Sequence, residues 1–213
     1  FTGGDAVGAV VYNGTSRTYN VDALSSTANF WQGNLTTYID LDGSGGADLG
    51  IFLRAQATRT GTSSGVFNVG AQAPNGSIGD IAVTNINITN GNAANLTTAQ
   101  FVGTALTFFN GRAEILSTAN GADINSRNFV VGTNNTATGY LGVRFDGDTG
   151  TVGTQYGWLK VKFEVTDPVF SSGGSLGGSL KMTILASAFD DCGDAIQVGA
   201  TSGGSNCSGG GSN

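Results

Sequence analysis

The segment Leu159-Lys160-Val161-Lys162-Phe163-Glu164-Val165 alternates apolar and polar residues without a break. A period of two puts Leu159, Val161, Phe163 and Val165 on one face of a strand and the charged residues on the other. A helix would scatter these residues around its axis. One face therefore goes to a core and the other to solvent. Weaker versions of the pattern recur in AVGAVVY (6–12), RTYNV (17–21), TTYIDL, LGIFLRAQATR, GVFNVG, DIAVTNINIT, NFVVG, YLGVRFDG and LKMTILASAF. Strands at this spacing, separated by glycine- and asparagine-rich turns, predict an all-β antiparallel sandwich of jelly-roll type. Asn13-Gly14 predicts a two-residue hairpin between the first two strands. The segment 99–109 fits a strand better than a helix, because Thr, Val and Phe dominate it.

Composition supports strands over helices. The chain has 213 residues, with 36 Gly and only 11% charged residues. Glu occurs only at 114 and 164, and Lys only at 160, 162 and 181, so strong helix formers are scarce. Apolar residues make up 39%, too many for a disordered chain. Both halves share one texture, which predicts a single domain over 1–199 and a Gly/Ser-rich tail over 200–213. The start, FTGGDAVGAVVYNG, has no Met and reads as a processed N-terminus. Residues 1–14 read either as an ordinary first strand or as a donor strand added to the sheet of a neighbouring copy.

Charge and missing residue types narrow the function. The net charge is −6, so no basic stripe is available for nucleic acid. With no His in the chain, imidazole metal sites and the Ser-His-Asp triad are excluded. No apolar run is long enough for a membrane helix. Glu114 and Glu164 lie on polar strand faces, a poor arrangement for a glycosidase pair. The residues therefore point away from an enzyme, and a secreted polysaccharide hydrolase is the third reading. Cys192 and Cys207 fit a disulfide formed in an oxidising compartment.

Thirteen of the fifteen acidic residues are Asp, and several cluster in turns. In Asp40-Leu41-Asp42-Gly43-Ser44-Gly45-Gly46-Ala47-Asp48, the residues Asp40, Asp42, Ser44, Gly46 and Asp48 match ligand positions 1, 3, 5, 7 and 9 of an EF-type calcium loop. Position 12, which should carry a bidentate Glu, is Ile51. The stretch is either a Ca2+ loop closed by a ligand from elsewhere or a plain turn built from turn-forming residues. Asp146 and Asp148, or Asp190, Asp191 and Asp194, are the candidates to close it within the chain.

The C-terminal half carries Gly142-Val143-Arg144-Phe145, then Tyr156-Gly157-Trp158, then Ala188-Phe189-Asp190 ending in Ile196-x-x-Gly199. This series resembles a pattern in secreted bacterial proteins, among them ones that carry a PEP-CTERM sorting signal. The likeness covers about 138–199 well, and 36–50 weakly through the Asp-rich turn. It implies export and a β-rich fold, and it brings no catalytic residues.

These readings converge on an extracellular structural protein: a self-assembling, calcium-stabilised surface filament or matrix subunit whose partners are copies of itself. The alternative is a calcium-dependent carbohydrate-binding module. Polysaccharide would then stack on Trp31, Tyr140, Tyr156 or Trp158.

Overall fold

The computed structural model describes residues 10–23, 25–27, 29–73, 79–87, 90–109, 112–119, 122–123, 129, 135–146, 153–171 and 174–203. The strands are β1 (Val10–Asn13), β2 (Arg17–Asp22), β3 (Ser25–Thr27), β4 (Phe30–Ile39), β5 (Leu49–Arg59), β6 (Gly65–Ala73), β7 (Asp80–Asn87), β8 (Asn90–Ala93) and β9 (Phe101–Val102). They continue with β10 (Phe108–Phe109), β11 (Arg112–Ala119), β12 (Ala122–Asp123), β13 (Thr136–Asp146), β14 (Thr154–Thr166), β15 (Val169–Ser171), β16 (Gly174–Leu176), β17 (Ser179–Asp190) and β18 (Ile196–Gln197). Among the described residues no helix is long and apolar enough to cross a membrane.

The strands form a β-sandwich. The first layer runs β1 and β2, then β17, β14, β13, the start of β7, and β10. The second runs β3, β4, β5, β6, β11, β8 and the end of β7. β7 belongs to both: Ile81 pairs with Val143, whereas Asn87 pairs with Asn90. Among the described residues pairing is antiparallel except between β8 and β11.

The alternation from 159 to 165 has the predicted outcome. Leu159, Val161 and Phe163 are fully buried, and Lys160, Lys162 and Glu164 are half-buried on the opposite face. Leu49, Ile51 and Leu53 of β5 lie in the same core as Leu180 and Met182 of β17. Phe129 meets Phe163 edge-on at 5.9 Å. Each of these larger side chains contributes about 1.5–3 kcal/mol through burial.

Two local expectations are corrected. Asn13-Gly14 does not close a hairpin. β1 and β2 both pair with β17, over Asp190–Ser187 and Ile184–Ser179 respectively, so they form one interrupted edge strand. The competing partner is the long apolar strand β17, which offers both segments a continuous ladder. The segment 99–109 is not one strand either. Its ends form β9, which pairs with β18, and β10, which pairs with β7.

A second core covers the outer face of the first sheet. Trp158, Tyr156, Ala186, Ala188 and Ala82 pack there against Leu96, Val102, Ile196 and Val198. The overlying chain comes very close. A Cβ on Gly142 would stand 2.9 Å from Leu96, so the glycine makes room for that residue. The Leu96 N–H donates to the Tyr140 carbonyl at 2.9 Å, which ties this layer to β13.

Candidate functional site

The Asp-rich stretch is the loop between β4 and β5, closed by the pair Ile39 and Leu49. The Asp48 N–H donates to the Ile39 carbonyl at 2.8 Å. Side chains then fold the loop onto itself. Asp40 accepts the Gly43 N–H at 2.6 Å and the Gly45 N–H at 3.1 Å. Asp42 accepts the Ser44 N–H at 2.9 Å, and Ser44 Oγ accepts the Gly46 N–H at 3.2 Å. Asp48 Oδ2 accepts from Leu41 at 2.6 Å and from Asp42 at 3.1 Å. Gly43 and Gly45 sit at φ 75° and 92°, in the left-handed region that glycine enters without steric cost.

The three carboxylates converge as a result. Asp40, Asp42 and Asp48 place ligand atoms within 4.8 Å of one another. Asp48 is 2% exposed, while Asp40 and Asp42 are half-buried. Burial pushes the Asp48 carboxyl above its ordinary value; the Leu41 and Asp42 N–H groups oppose this, and the charges of Asp42 and Asp40 add to it. A bound cation would relieve that repulsion. Of the predicted ligands, Ser44 is an exposed loop residue that caps Gly46 through its hydroxyl. Gly46 is half-buried and donates the N–H of that bond. Ile51 is fully buried in the core, so the twelfth position points away from the loop.

The other acidic residues do not join this group. Asp190, Asp191 and Cys192 gather as a separate cluster within 4.8 Å. Asp190 Oδ1 accepts the Cys192 N–H at 3.0 Å and the Asp194 N–H at 3.1 Å, so Asp194 takes part through its backbone. Asp190 is 2% exposed, and burial raises its carboxyl above the ordinary value. Asp146 is exposed and accepts from Thr154 Oγ1 at 3.4 Å. Asp148 and Cys207 lie outside the described residues, as do residues 1–9. The described part of the possible donor strand, Val10–Asn13, sits in its own sheet against β17.

The proposed sugar platform is corrected. Trp158 and Tyr156 are 2% and 8% exposed, because the layer over the first sheet covers them. Tyr140 stacks edge-on to Trp158 at 5.6 Å, and Trp31 packs against the main core. Trp158 is on the face opposite Leu159, as its phase requires, but that face is not open. Arg144 of the Gly-Val-Arg-Phe motif also has a structural task. Its Nε donates to the buried Asp80 carboxylate at 2.9 Å, and its guanidinium lies 5.1 Å from the Phe108 ring. Glu114 pairs with Arg112 at 3.2 Å, and Glu164 bridges Lys162 and Lys181 at 3.1 and 2.7 Å.

Sequence reasoning missed the outer face of the second sheet. There Phe52, Arg54, Gly70, Gln72, Arg112 and Glu114 line a shallow cleft. The period-two pattern of β5 and β6 held the signal, since Phe52, Arg54 and Gln72 alternate with buried Leu53, Ala55 and Ala71. No family model matches the chain, and no curated protein or solved structure is significantly similar to it.

Proposed function

We propose that the protein is an extracellular structural subunit of a surface filament or matrix, and that calcium stabilises its β4–β5 loop. The convergence of Asp40, Asp42 and Asp48 on a loop already folded by its own hydrogen bonds carries the calcium reading. Calcium takes six to eight oxygen ligands, so water or a neighbouring copy completes the shell. The scarcity of Lys and Glu and the likeness to exported proteins support a role outside the cell. A Cys192–Cys207 disulfide belongs to the same reading.

Self-assembly has one further support. β3 covers only Phe30–Gln32 of β4, and no described strand pairs with the rest of that edge through Ile39. An open edge is a template for strand addition. Tyr38, on this stretch, is 62% exposed. Size-exclusion chromatography and negative-stain microscopy, with calcium and then with chelator, test the reading. Calcium-dependent oligomers or fibres are expected; a monomer under both conditions contradicts assembly.

A carbohydrate-binding role is the second reading, favoured by the polar cleft around Arg54 and Gln72 on the second sheet. Amide, guanidinium and aromatic groups on one sheet face suit hydroxylated ligands. Retention on immobilised polysaccharide, lost in Arg54→Ala, is its expected result.

A further inference from the structure

A pocket of about 290 Å³ opens beside the end of β17, lined by Val10, Phe101, Asp190, Ile196, Gln197 and Ser202 with two alanines between them. Five of these eight residues are apolar, and the wall surface is divided about evenly between polar and apolar atoms. Asp190 is the one ionisable group among the described lining residues, and at 2% exposure it is almost wholly withdrawn from solvent. It stands in a cross-strand row between Val10 of β1 and Tyr156 of β14. Its Oδ1 is held by the N–H groups of Cys192 and Asp194. Among the described residues no Lys or Arg lines the pocket. Arg144, in line with it across the sheet beyond Tyr156, is paired with Asp80.

Buried charges in folded proteins are normally paired, because an uncompensated one costs several kcal/mol. Asp191, with a carboxylate oxygen within 4.8 Å of Asp190, and Asp194 add to the negative charge rather than balance it. Calcium needs six to eight oxygens, whereas the pocket side chains offer only those of Asp190, Gln197 and Ser202. The Gln197 amide nitrogen is already bonded to the Thr98 carbonyl at 2.9 Å. The volume and the apolar side chains beside Asp190 suit an organic cation. Phe101, 57% exposed at the rim, adds an aromatic face to which a cation is attracted.

We propose that this pocket binds an alkylammonium group, with the charge against Asp190 and the carbon chain along Val10, Ile196 and Phe101. The group can come from a free amine or from the side chain of a lysine in a peptide. The site is distinct from the β4–β5 loop, and its test does not depend on calcium.

Hexylamine, hexanol and Nα-acetyl-lysine amide are titrated against the full chain by calorimetry, with the Ile196 and Ala200 methyl signals followed by NMR. Saturable hexylamine binding is expected, with none for hexanol. The lysine derivative binding more tightly than hexylamine identifies a peptide source, and the reverse order a free amine. Asp190→Asn keeps an acceptor for both N–H groups while removing the charge, and should weaken binding at least tenfold. Phe101→Ala, at an exposed position, should weaken it several-fold, and it keeps the test open if the Asn variant fails to fold. Equal binding of hexanol, no saturable amine binding, an unchanged affinity in both variants, or displacement of the amine by micromolar calcium overturns the proposal.

Discussion

The two acidic turns share a local design and differ in what surrounds it. Each holds an Asp that is 2% exposed and accepts two backbone N–H bonds: Asp48 from Leu41 and Asp42, Asp190 from Cys192 and Asp194. Around Asp48 two more carboxylates close in from the same loop. Beside Asp190 the chain opens into a pocket of mixed polar and apolar surface. Both acids have like charges nearby, Asp42 and Asp40 beside Asp48 and Asp194 and Asp191 beside Asp190, but Asp190 also stands at the wall of a cavity with room for a larger cation. Counting Asp residues cannot separate these cases, because the neighbours decide the chemistry.

The largest expected effect comes from deleting each acid. Asp48→Ala strands two donors, one of them fully buried, and should cost on the order of 2–4 kcal/mol. Asp190→Ala strands two part-buried donors that water can reach, and should cost about 1–2 kcal/mol. Urea denaturation of both variants checks the order; equal losses would erase the distinction between the turns.

Calcium should act on one turn only. At a hundredfold excess over Kd, binding to the folded state adds about 2.7 kcal/mol. In a chain of this size that raises Tm by roughly 5–10 °C. Asp40→Asn should abolish the rise and Asp190→Asn should leave it intact, as read by scanning calorimetry with and without chelator.

A smaller effect is expected at Gly45. No atom lies within 4 Å of an added Cβ there, so the cost of Gly45→Ala is the backbone strain at φ 92°, about 1–2 kcal/mol. The same change at Gly153, which also has open space around it and carries no positive φ, should be nearly silent.

The smallest effect belongs to an acid in neither turn. Side-chain hydrogen bonds from Lys181 and Lys162 hold the Glu164 carboxyl below its ordinary value. Its contribution is therefore present above the unfolded-state value and is lost as pH falls through the lowered folded-state value. Solvent screens this exposed pair of bridges, so Glu164→Gln should lower Tm only slightly at pH 7, and by less as the pH falls through the lowered folded-state value.

Much of the sandwich was legible in the sequence. The 159–165 segment, the strands on either side of the Asp loop and the long strand ending at Asp190 follow directly from apolar spacing. The partner of an edge strand was not legible. Asn13-Gly14 carries a true turn signal, but the ladder along β17 outweighs it, and that competition is not local. Trp158 fails in the same way. Its phase places it outside the main core, yet burial depends on a segment about 60 residues earlier that Gly142 allows to lie against the sheet. A hint was present, because Ala186, Ala188 and Gly142 make an outer face of small residues. In the candidate site, Asp40, Asp42 and Asp48 were legible from D-x-D spacing. The separation of Asp190 from them depends on strand order, which a single sequence leaves open.

The central claim is that the β4–β5 loop is the calcium site and that Asp190 serves a different pocket. Calorimetric titration of calcium into the wild type, Asp42→Asn and Asp190→Asn tests it most directly. The account predicts one saturable site per chain, lost in Asp42→Asn and retained in Asp190→Asn. No binding to the wild type, or binding that survives Asp42→Asn and disappears with Asp190→Asn, would contradict it.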